Sequence, residues 1–294
     1  MIDNGLLVQM LIGALLGVSV YLPLAAGQLS LATPAFYAVG GTLAALLSTT
    51  WPALGAGSDG SFPLGSFALE LLLGGLLAGV LALLVGRLVL RLQGIYLAIA
   101  TRTISTRAMV AILNLPFTGG AIGIFGIPQP FSTAAGYLVP ALLLLALAGW
   151  ICQRLEGMPL GRAMAAIRDD ELAARCMGID TTRVKLTAFV LSAVLAGSTG
   201  ALAAHFLNPW NARQGSFDTS VTMLAFVILG GSCSWLGPVV GGLLLTALPE
   251  LLRPVGDVRL VLFGLVILLG PALFPQGLIT PALLERLGRL GERP

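Results

Sequence analysis

Polar side chains inside long apolar runs are the residues of this sequence best suited to chemistry. One cluster follows Gly27, a second interrupts the apolar run after residue 100, and a third lies in a proline-flanked break near residue 118. Polar groups within apolar segments are costly and are typical of solute pathways, and the free backbone amides of a break suit a carboxylate. The candidate pathway residues are Gln28, Ser30, Thr33, Thr101, Arg102, Thr106, Thr118, Gly119 and Gly120.

Several of these polar residues also have plainer interpretations. Arg102 or Arg107 can extend to lipid headgroups, or the whole segment 94–113 can be displaced from the apolar layer. Glu70 is predicted to be interfacial, and His205, the single histidine, is predicted to be a hydrogen-bonded structural imidazole. One histidine and three scattered cysteines offer no nucleophile–base pair and no set of metal ligands, so neither a catalytic residue nor a metal site is predicted.

Residues 154–185 form a polar loop that is unlike the rest of the chain. The loop holds 11 of the 29 charged residues of the whole sequence. Pro159 suits the start of a helix, and Leu160, Ala163, Met164 and Ile167 then share one face. Asp169 is predicted to cap a second short helix with Asp170 and Glu171 at its positive end, and Gly178 to end it. Six basic and five acidic residues argue against a membrane-binding helix; an ordinary charged loop stays an alternative.

The elements around these residues are predicted to be membrane-spanning helices. Hydrophobic residues make up 57% of the chain and charged residues 10%, with a mean hydropathy of +0.96, whereas soluble domains carry about 25% charged residues. The apolar runs are continuous rather than alternating, which excludes a barrel. We expect a single all-α polytopic domain over residues 1–294, with eight to ten helices. The predicted segments are 5–26, 28–50, 66–86, 94–113, 134–152, 186–207, 219–231, 236–252 and 258–275.

Basic residues predict the orientation of these helices, because they favour the cytoplasmic side. Placing Arg87 with Arg91, the polar loop and the tail arginines after residue 285 inside gives nine crossings with the N-terminus outside. Ten become possible if segment 28–50 is broken. The first basic residue is Arg87, so the first apolar run is expected to be a retained span rather than a signal peptide.

A series of motifs occurs in order from residue 27 to residue 278, and with it the chain resembles the permeases of branched-chain amino acid ABC transporters. The polar loop, with its Arg-Asp-Asp-Glu sequence at 168–171, is similar to that of the "M" member of a two-permease pair. The other motifs are Gly27-Gln-Leu-Ser-Leu, Gly94-Ile-Tyr-Leu-Ala, Thr118-Gly-Gly, Lys185-Leu-Thr-Ala-Phe, Leu229-Gly-Gly-Ser, Trp235-Leu-Gly-Pro and Pro275-Gln-Gly-Leu.

The resemblance implies that this chain forms half of a translocation pathway in the cytoplasmic (inner) membrane, for branched-chain or other small amino acids. Its partners would be a second permease subunit, two ATP-binding subunits, an extracytoplasmic solute-binding protein and membrane lipid, but no nucleic acid. The loop would be a coupling helix docked on the ATPase, with apolar residues for grip and charges for register. The implied coupling residues are Leu160, Gly161, Arg162, Ala163, Met164, Ile167, Arg168, Asp169, Asp170, Glu171 and Gly178.

ATP is expected to bind elsewhere than on this chain. A P-loop requires GxxxxGK[ST], and the single lysine, Lys185, lies between Val184 and Leu186. ATP and Mg²⁺ therefore belong to a partner ATPase, and no cofactor is expected on this chain.

Two departures from the family pattern concern the solute. Thr33 stands where relatives commonly have histidine. At residues 102–107, relatives usually have an apolar run that contains one acidic residue, whereas this chain has two arginines and, at the acidic position, Thr106. A stand-alone secondary transporter or channel for a small amide or organic solute is the alternative. Such proteins often use intramembrane carboxylates, and Glu70 is the only acidic residue near a span before residue 156.

Overall fold

The computed structural model describes residues 3–50, 63–274 and 277–279, and within them the secondary structure is helical apart from one isolated bridge between Ile124 and Trp210. The predicted interruption at residues 55–62 and the basic tail (Arg286, Arg289, Arg293) lie outside the described residues. The helices are α1 (Asn4–Ala25), α2 (Thr33–Thr50), α3 (Leu64–Val89), α4 (Gly94–Asn114), α5 (Leu138–Gly157), α6 (Pro159–Asp169), α7 (Glu171–Cys176), α8 (Thr181–Leu207), α9 (Phe217–Gly230), α10 (Leu236–Leu251) and α11 (Arg259–Leu273).

The prediction of an all-α multi-pass membrane protein is confirmed. Each of the nine predicted apolar segments contains a helix in the described part of the chain. Five helical stretches are long and apolar enough to cross a bilayer: α1, α3, α4, residues 134–157 and α8. Three shorter apolar helices lie at Phe217–Gly230, Leu236–Leu251 and Val261–Gly270. The number of complete crossings stays a prediction.

The predicted start of the second helix at residue 28 is wrong. Residues 26–32 are non-helical, Gly27 has a φ of +71°, and α2 begins only at Thr33. Left-handed backbone is accessible to glycine and ends a right-handed helix. Pro34 follows in the first turn of α2, where its missing N–H is harmless. We call residues 26–32 the α1–α2 break.

Helix α8 is the centre of the bundle, because glycines let α2 and α3 approach it backbone to backbone. A methyl group at Gly40 would lie 2.2 Å from the Gly197 carbonyl oxygen, and one at Gly197 would lie 2.5 Å from that of Gly74. Lipid provides no hydrophobic driving force for association between helices, so close packing of this kind holds them together.

Helices α6 and α7 lie at one end of the bundle, which we call the loop face. Ala26 packs into the same apolar cluster as Met164 and Ile167 of α6, so α1 ends at the loop face. With 22 residues, α1 is about 33 Å long. Asn4 therefore lies at the face opposite the loop face.

Helix α9 is too short to cross a bilayer, because its 14 residues span about 21 Å. The chain at 208–216, which includes a short 3₁₀ helix at Ala212–Gly215, leads into it along α2. There the Trp210 indole N–H donates to the Thr42 hydroxyl at 3.2 Å, and the Gly215 carbonyl accepts from Ser105 at 3.1 Å. Irregular backbone at this depth is stable because it is covered by protein. Neither the segment nor its polar residues were predicted.

Candidate functional site

The α1–α2 break is the point where α4 and α9 meet. The Leu31 N–H donates to the Thr101 hydroxyl at 3.0 Å, and the Leu31 carbonyl accepts from the Ser220 hydroxyl at 3.4 Å. Gln93, which precedes α4, donates to Glu171 of α7, so α4 begins at the loop face. Thr101 is seven residues further along and therefore about 10 Å into the bundle. The break thus lies inside the apolar layer rather than at its surface.

The structure brings together five of the predicted pathway residues, and four of them are buried. Those four are Gln28, Ser30, Thr33 and Thr101, and the fifth, Arg102, is exposed. Gln28 is 1% exposed, and neither atom of its amide has a hydrogen-bond partner in the described part of the chain. Leaving a buried amide unpaired costs about 1–3 kcal/mol. Gln28 therefore has free hydrogen-bonding capacity within the break.

One face of α4 is polar and exposed on this chain. Arg102, Thr106 and Arg107 lie on it, and the Arg102 guanidinium stacks 4.0 Å from the centre of the Phe217 ring. Charged side chains inside a membrane span are stable against protein or water but not against lipid. This face therefore favours contact with another protein or with a water-filled path over contact with the lipid interior.

Two helices begin beside the break, and both present positive ends to it. Helix α2 starts at Thr33 and α9 at Phe217, and a helix N-terminus carries roughly half a positive charge. The Ser216 hydroxyl caps α9 by accepting from the Thr219 N–H, and Asp218 partly offsets its field. With Arg102 nearby, the geometry of interrupted helices favours an anionic group such as a carboxylate.

The predicted residues Thr118, Gly119 and Gly120 do not belong to this cluster. They follow the far end of α4, away from the loop face, and the Thr118 hydroxyl donates locally to the Ile112 and Leu115 carbonyls. Gly119 and Gly120 have φ values of +71° and +59°, so they form a tight turn. Their proposed contact with a carboxylate stays a prediction.

Glu70 is not interfacial, and this prediction is wrong. Its side chain is fully buried, and its Oε2 lies 2.5 Å from Nε2 of His205, which is also fully buried. Nδ1 of His205 lies 2.9 Å from the Pro128 carbonyl, so Nδ1 must carry a proton. The rings of Phe67 and Tyr137 enclose the pair. His205 is a structural imidazole as predicted, and it joins α3, α8 and the chain at Pro128.

The polar loop forms two short helices, as predicted, although the second helix has a different cap. Asp169 ends α6, and it is the Asp170 carboxylate that accepts from the N–H groups of Leu172 and Ala173, at 2.8 and 3.0 Å. Gly178 lies just past the end of α7 with a φ of +84°. The loop is also shorter than expected, because α5 runs to Gly157 and α8 begins at Thr181.

The apolar face of α6 is turned towards this chain's own bundle, which corrects its predicted use as a grip for a partner. Met164 and Ile167 are buried with Ala26 and Val184, and Leu160 and Ala163 are partly buried in the same cluster. An amphipathic helix covers its apolar stripe with the nearest apolar surface, here the ends of α1 and α8.

The most exposed large apolar side chains of the loop are instead on and just after α7. Leu172 is 72% exposed and Met177 is 83% exposed. The same loop exposes charged residues of the predicted coupling set, namely Arg162, Arg168, Asp169 and Asp170. Spacing alone missed Leu172 and Met177, because a six-residue helix has too few turns to define a face.

Helix α6 rests directly on the α1–α2 break. A methyl group at Gly27 would lie 3.0 Å from the Cα atom of Arg168. The Arg168 guanidinium also donates to the Ser232 carbonyl at 3.0 Å, which joins α6 to the turn after α9. We call the cluster of pathway residues around the α1–α2 break the polar site. Helix α6 touches this site directly at Gly27 and is joined to α9 only through the turn that follows it.

Glu171 fastens α7 to the rest of the chain. Its carboxylate lies 2.5 Å from Nζ of Lys185 and 2.7 Å from the Arg175 guanidinium. Partial burial acts to raise the pKa of Glu171, but the hydrogen bond and charge of Lys185, together with Arg175, outweigh it and lower that pKa below its usual value.

This lowered pKa predicts an acid-sensitive α7. The stabilisation of α7 by ionised Glu171 is complete above the unfolded-state pKa of a glutamate, about 4.3. It is lost as the pH falls through the lower folded-state pKa. After correction for intrinsic rates, hydrogen exchange at residues 171–177 should be unchanged from neutral pH to about pH 5 and should rise below about pH 4. Glu171→Gln should exchange fast throughout, whereas Asp180→Asn, in an exposed pair with Arg183, should not. Acid-independent exchange in the native chain would contradict the assignment.

Comparison with known proteins gives one family and several relatives. The family model described as "Branched-chain amino acid transport system / permease component" matches residues 1–270. The high-affinity branched-chain amino acid transport system permease proteins LivM of Salmonella typhimurium and Escherichia coli are each 35% identical over 302 residues. These matches cover 90% of this chain but 66% of each relative's length.

A more distant relative is the autoinducer 2 import system permease protein LsrC of Klebsiella pneumoniae. It is 29% identical over 215 residues, which cover 67% of this chain and 57% of that protein. No solved structure matches.

Proposed function

Because the chain belongs to the family of branched-chain amino acid transport system permease components, we propose that it is the permease subunit of an ATP-driven importer. The solute is a branched-chain or other small amino acid. The chain lies in the cytoplasmic membrane beside a second permease subunit. Two ATPase subunits bind ATP and Mg²⁺ at the loop face, and a solute-binding protein delivers the solute from the other side.

The observation that carries this proposal is the contact between α6 and the α1–α2 break. A partner that grips the loop displaces α6, and Gly27 lies against the Arg168 backbone. The Arg168–Ser232 hydrogen bond passes the same displacement towards α9. A movement of the loop thereby reaches the polar site through direct contacts. Coupling between two sites is carried by contiguous contacts of this kind.

The solute's carboxylate is proposed to bind beside the break. Arg102, the N-termini of α2 and α9 and the unpaired Gln28 amide supply positive potential and free hydrogen-bonding groups there. Thr106 and Arg107 on the exposed side of α4 are proposed to face the second permease, with the solute path between the two subunits. An amino acid remains hydrated or hydrogen-bonded along such a surface, whereas lipid-facing helices offer it no partners.

Buried Glu70 favours one alternative, a stand-alone secondary transporter. An intramembrane carboxylate paired with histidine is a common proton-coupling device. The two functions differ in a direct test, because a secondary transporter moves solute when reconstituted alone. An importer subunit needs its ATPase.

Binding of the ATPase provides the test of the loop. Leu172→Asp together with Met177→Asp should lower the affinity of the ATPase subunits for the membrane complex at least about tenfold, because each new carboxylate would be buried at the docking surface without a hydrogen-bond partner, at a cost of roughly 1–3 kcal/mol or more. Co-purification and solute-stimulated ATP hydrolysis, measured over a panel of amino acids, read out the loss. Phe125→Asp, an exposed apolar residue remote from α7, is the control.

Assembly and uptake that survive the double variant would overturn the docking surface. Transport by this chain alone would overturn the importer itself. Replacing Asp169, Asp170 and Glu171 together with alanine is also expected to abolish coupling. That variant is less informative, because Asp170 caps α7 and Glu171 fastens it, so α7 itself would unfold.

A further inference from the structure

A cavity of about 560 Å³ opens at the loop face, separate from the α1–α2 break. It lies between the end of α1, the end of α5, the helix α6 and the turn after α9. Charged residues of both signs line it, namely Glu156 from α5 and Arg162, Arg168 and Asp169 from α6. Cavities of this size hold small molecules.

The charges around this cavity are not neutralised by one another. Within the described residues, none of Glu156, Arg162 and Asp169 takes part in an ion pair, and Arg168 donates to the neutral carbonyl of Ser232. The Tyr21 hydroxyl donates to Glu156 at 3.0 Å, which orients that carboxylate at the cavity wall. The cavity therefore offers an oriented anion and two cations to a ligand.

The remaining wall of the cavity is apolar. Leu22, Ala25, Leu155 and Met164 contribute to it. A ligand that matches all of these groups carries an ammonium for Glu156 or Asp169, a carboxylate for the arginines, and a short apolar side chain. Charge-assisted hydrogen bonds of this kind are the stronger ones. A zwitterionic amino acid with an aliphatic side chain has this combination.

We propose that this cavity is a second amino acid site, open to the loop face, at which the imported solute binds and restrains the transporter. The identity of the solute rests on the proposed function. The cavity takes its walls from α1, α5 and α6 together, so a bound ligand holds α6 against two bundle helices. Because the α1–α2 break rests on α6, a ligand that favours one position of α6 shifts the conformational equilibrium of the polar site. Accumulated solute thereby slows its own import.

Thiol labelling of the native cysteines tests the site. Cys233 is exposed and lines the cavity, whereas Cys176 is exposed on α7 and does not. In the purified full-length chain, leucine at ten times its dissociation constant should slow maleimide labelling of Cys233 about tenfold. Labelling of Cys176, read by mass spectrometry in the same sample, should not change. 4-Methylpentanoate and 3-methylbutylamine, which each lack one charge, should not protect.

Variants outside the proposed coupling set separate binding from folding. Glu156→Gln should lose the protection of Cys233 and Glu156→Asp should keep it, while Tyr21→Phe should weaken it. Arg183→Gln, at a residue that does not line the cavity, should leave the protection of Cys233 intact. Absence of protection by any zwitterionic amino acid, or equal protection in Glu156→Gln, would overturn the site.

The regulatory role is tested in vesicles that hold the whole complex. Leucine present only on the loop-face side should lower ATP hydrolysis in the wild type and not in Glu156→Gln. Protection of Cys233 without this inhibition would overturn the restraint. If leucine protects Cys233 but the complex shows no solute-stimulated ATP hydrolysis, the proposed function is overturned. The cavity would then still be an amino acid site.

Discussion

Gly27→Ala should lower solute uptake at least about tenfold while the complex still assembles and hydrolyses ATP. Gly27 has a φ of +71°, and a methyl group there would lie 3.0 Å from the Arg168 Cα atom. Left-handed backbone costs an L-residue roughly 1–2 kcal/mol, and the contact forces α6 away from the break. The measurement is radiolabelled solute uptake and ATP hydrolysis in the same proteoliposomes, with fewer solutes moved per ATP as the expected result.

Gly126 provides a matched control for this substitution. It has nearly the same backbone conformation, with a φ of +72°, but a methyl group there meets nothing within 4 Å. Gly126→Ala therefore carries the conformational cost without the contact to α6, and its uptake per ATP should stay near the native value. Equal losses in the two variants would assign the effect to backbone strain and remove the argument for mechanical contact.

Glu70→Ala should destabilise the protein by about 3–5 kcal/mol, because it leaves one partner of a buried polar pair uncompensated. His205→Phe should have a similar effect for the same reason. The double variant Glu70→Ala with His205→Phe should cost less than the sum of the two, since it leaves neither group buried alone. Unfolding in detergent micelles, followed by denaturant titration, measures all three free energies.

The pair of Glu250 with Arg253 is the control, at 2.8 Å and largely exposed. Its loss in Glu250→Ala should cost less than about 1 kcal/mol, as exposed ion pairs do. If Glu70→Ala proved as mild as Glu250→Ala, the buried pair would not hold α3 and α8 together.

Much of the fold was predictable because the signals are local. A continuous apolar run specifies a helix in lipid, where every backbone group must be bonded within the segment. Pro159 at the start of α6 and Gly178 after α7 act within one turn of chain, and both ends lie where the residue types predict. The motifs shared with the family pointed to the same membership that the family model gives.

The candidate site was predictable only in part, because its geometry depends on contacts between distant residues. Thr101 is 70 residues from Leu31, and Glu70 is 135 residues from His205. No local pattern reports such a pairing, so the sequence predicts neither the burial of Glu70 nor the polar contacts of segment 208–216. The inward direction of Met164 and Ile167 was missed for a related reason. Periodicity shows that a helix has an apolar face but not which surface covers that face.

The sequence by itself determined that this chain is a helical membrane protein with one charged loop, because apolar length and charge placement control insertion into a bilayer. Only the tertiary structure decided that the loop bears on the α1–α2 break, that two helices begin there, and that Glu70 is buried against His205. Those features arise from packing between segments far apart in the chain, and packing is set by the shapes of both surfaces together.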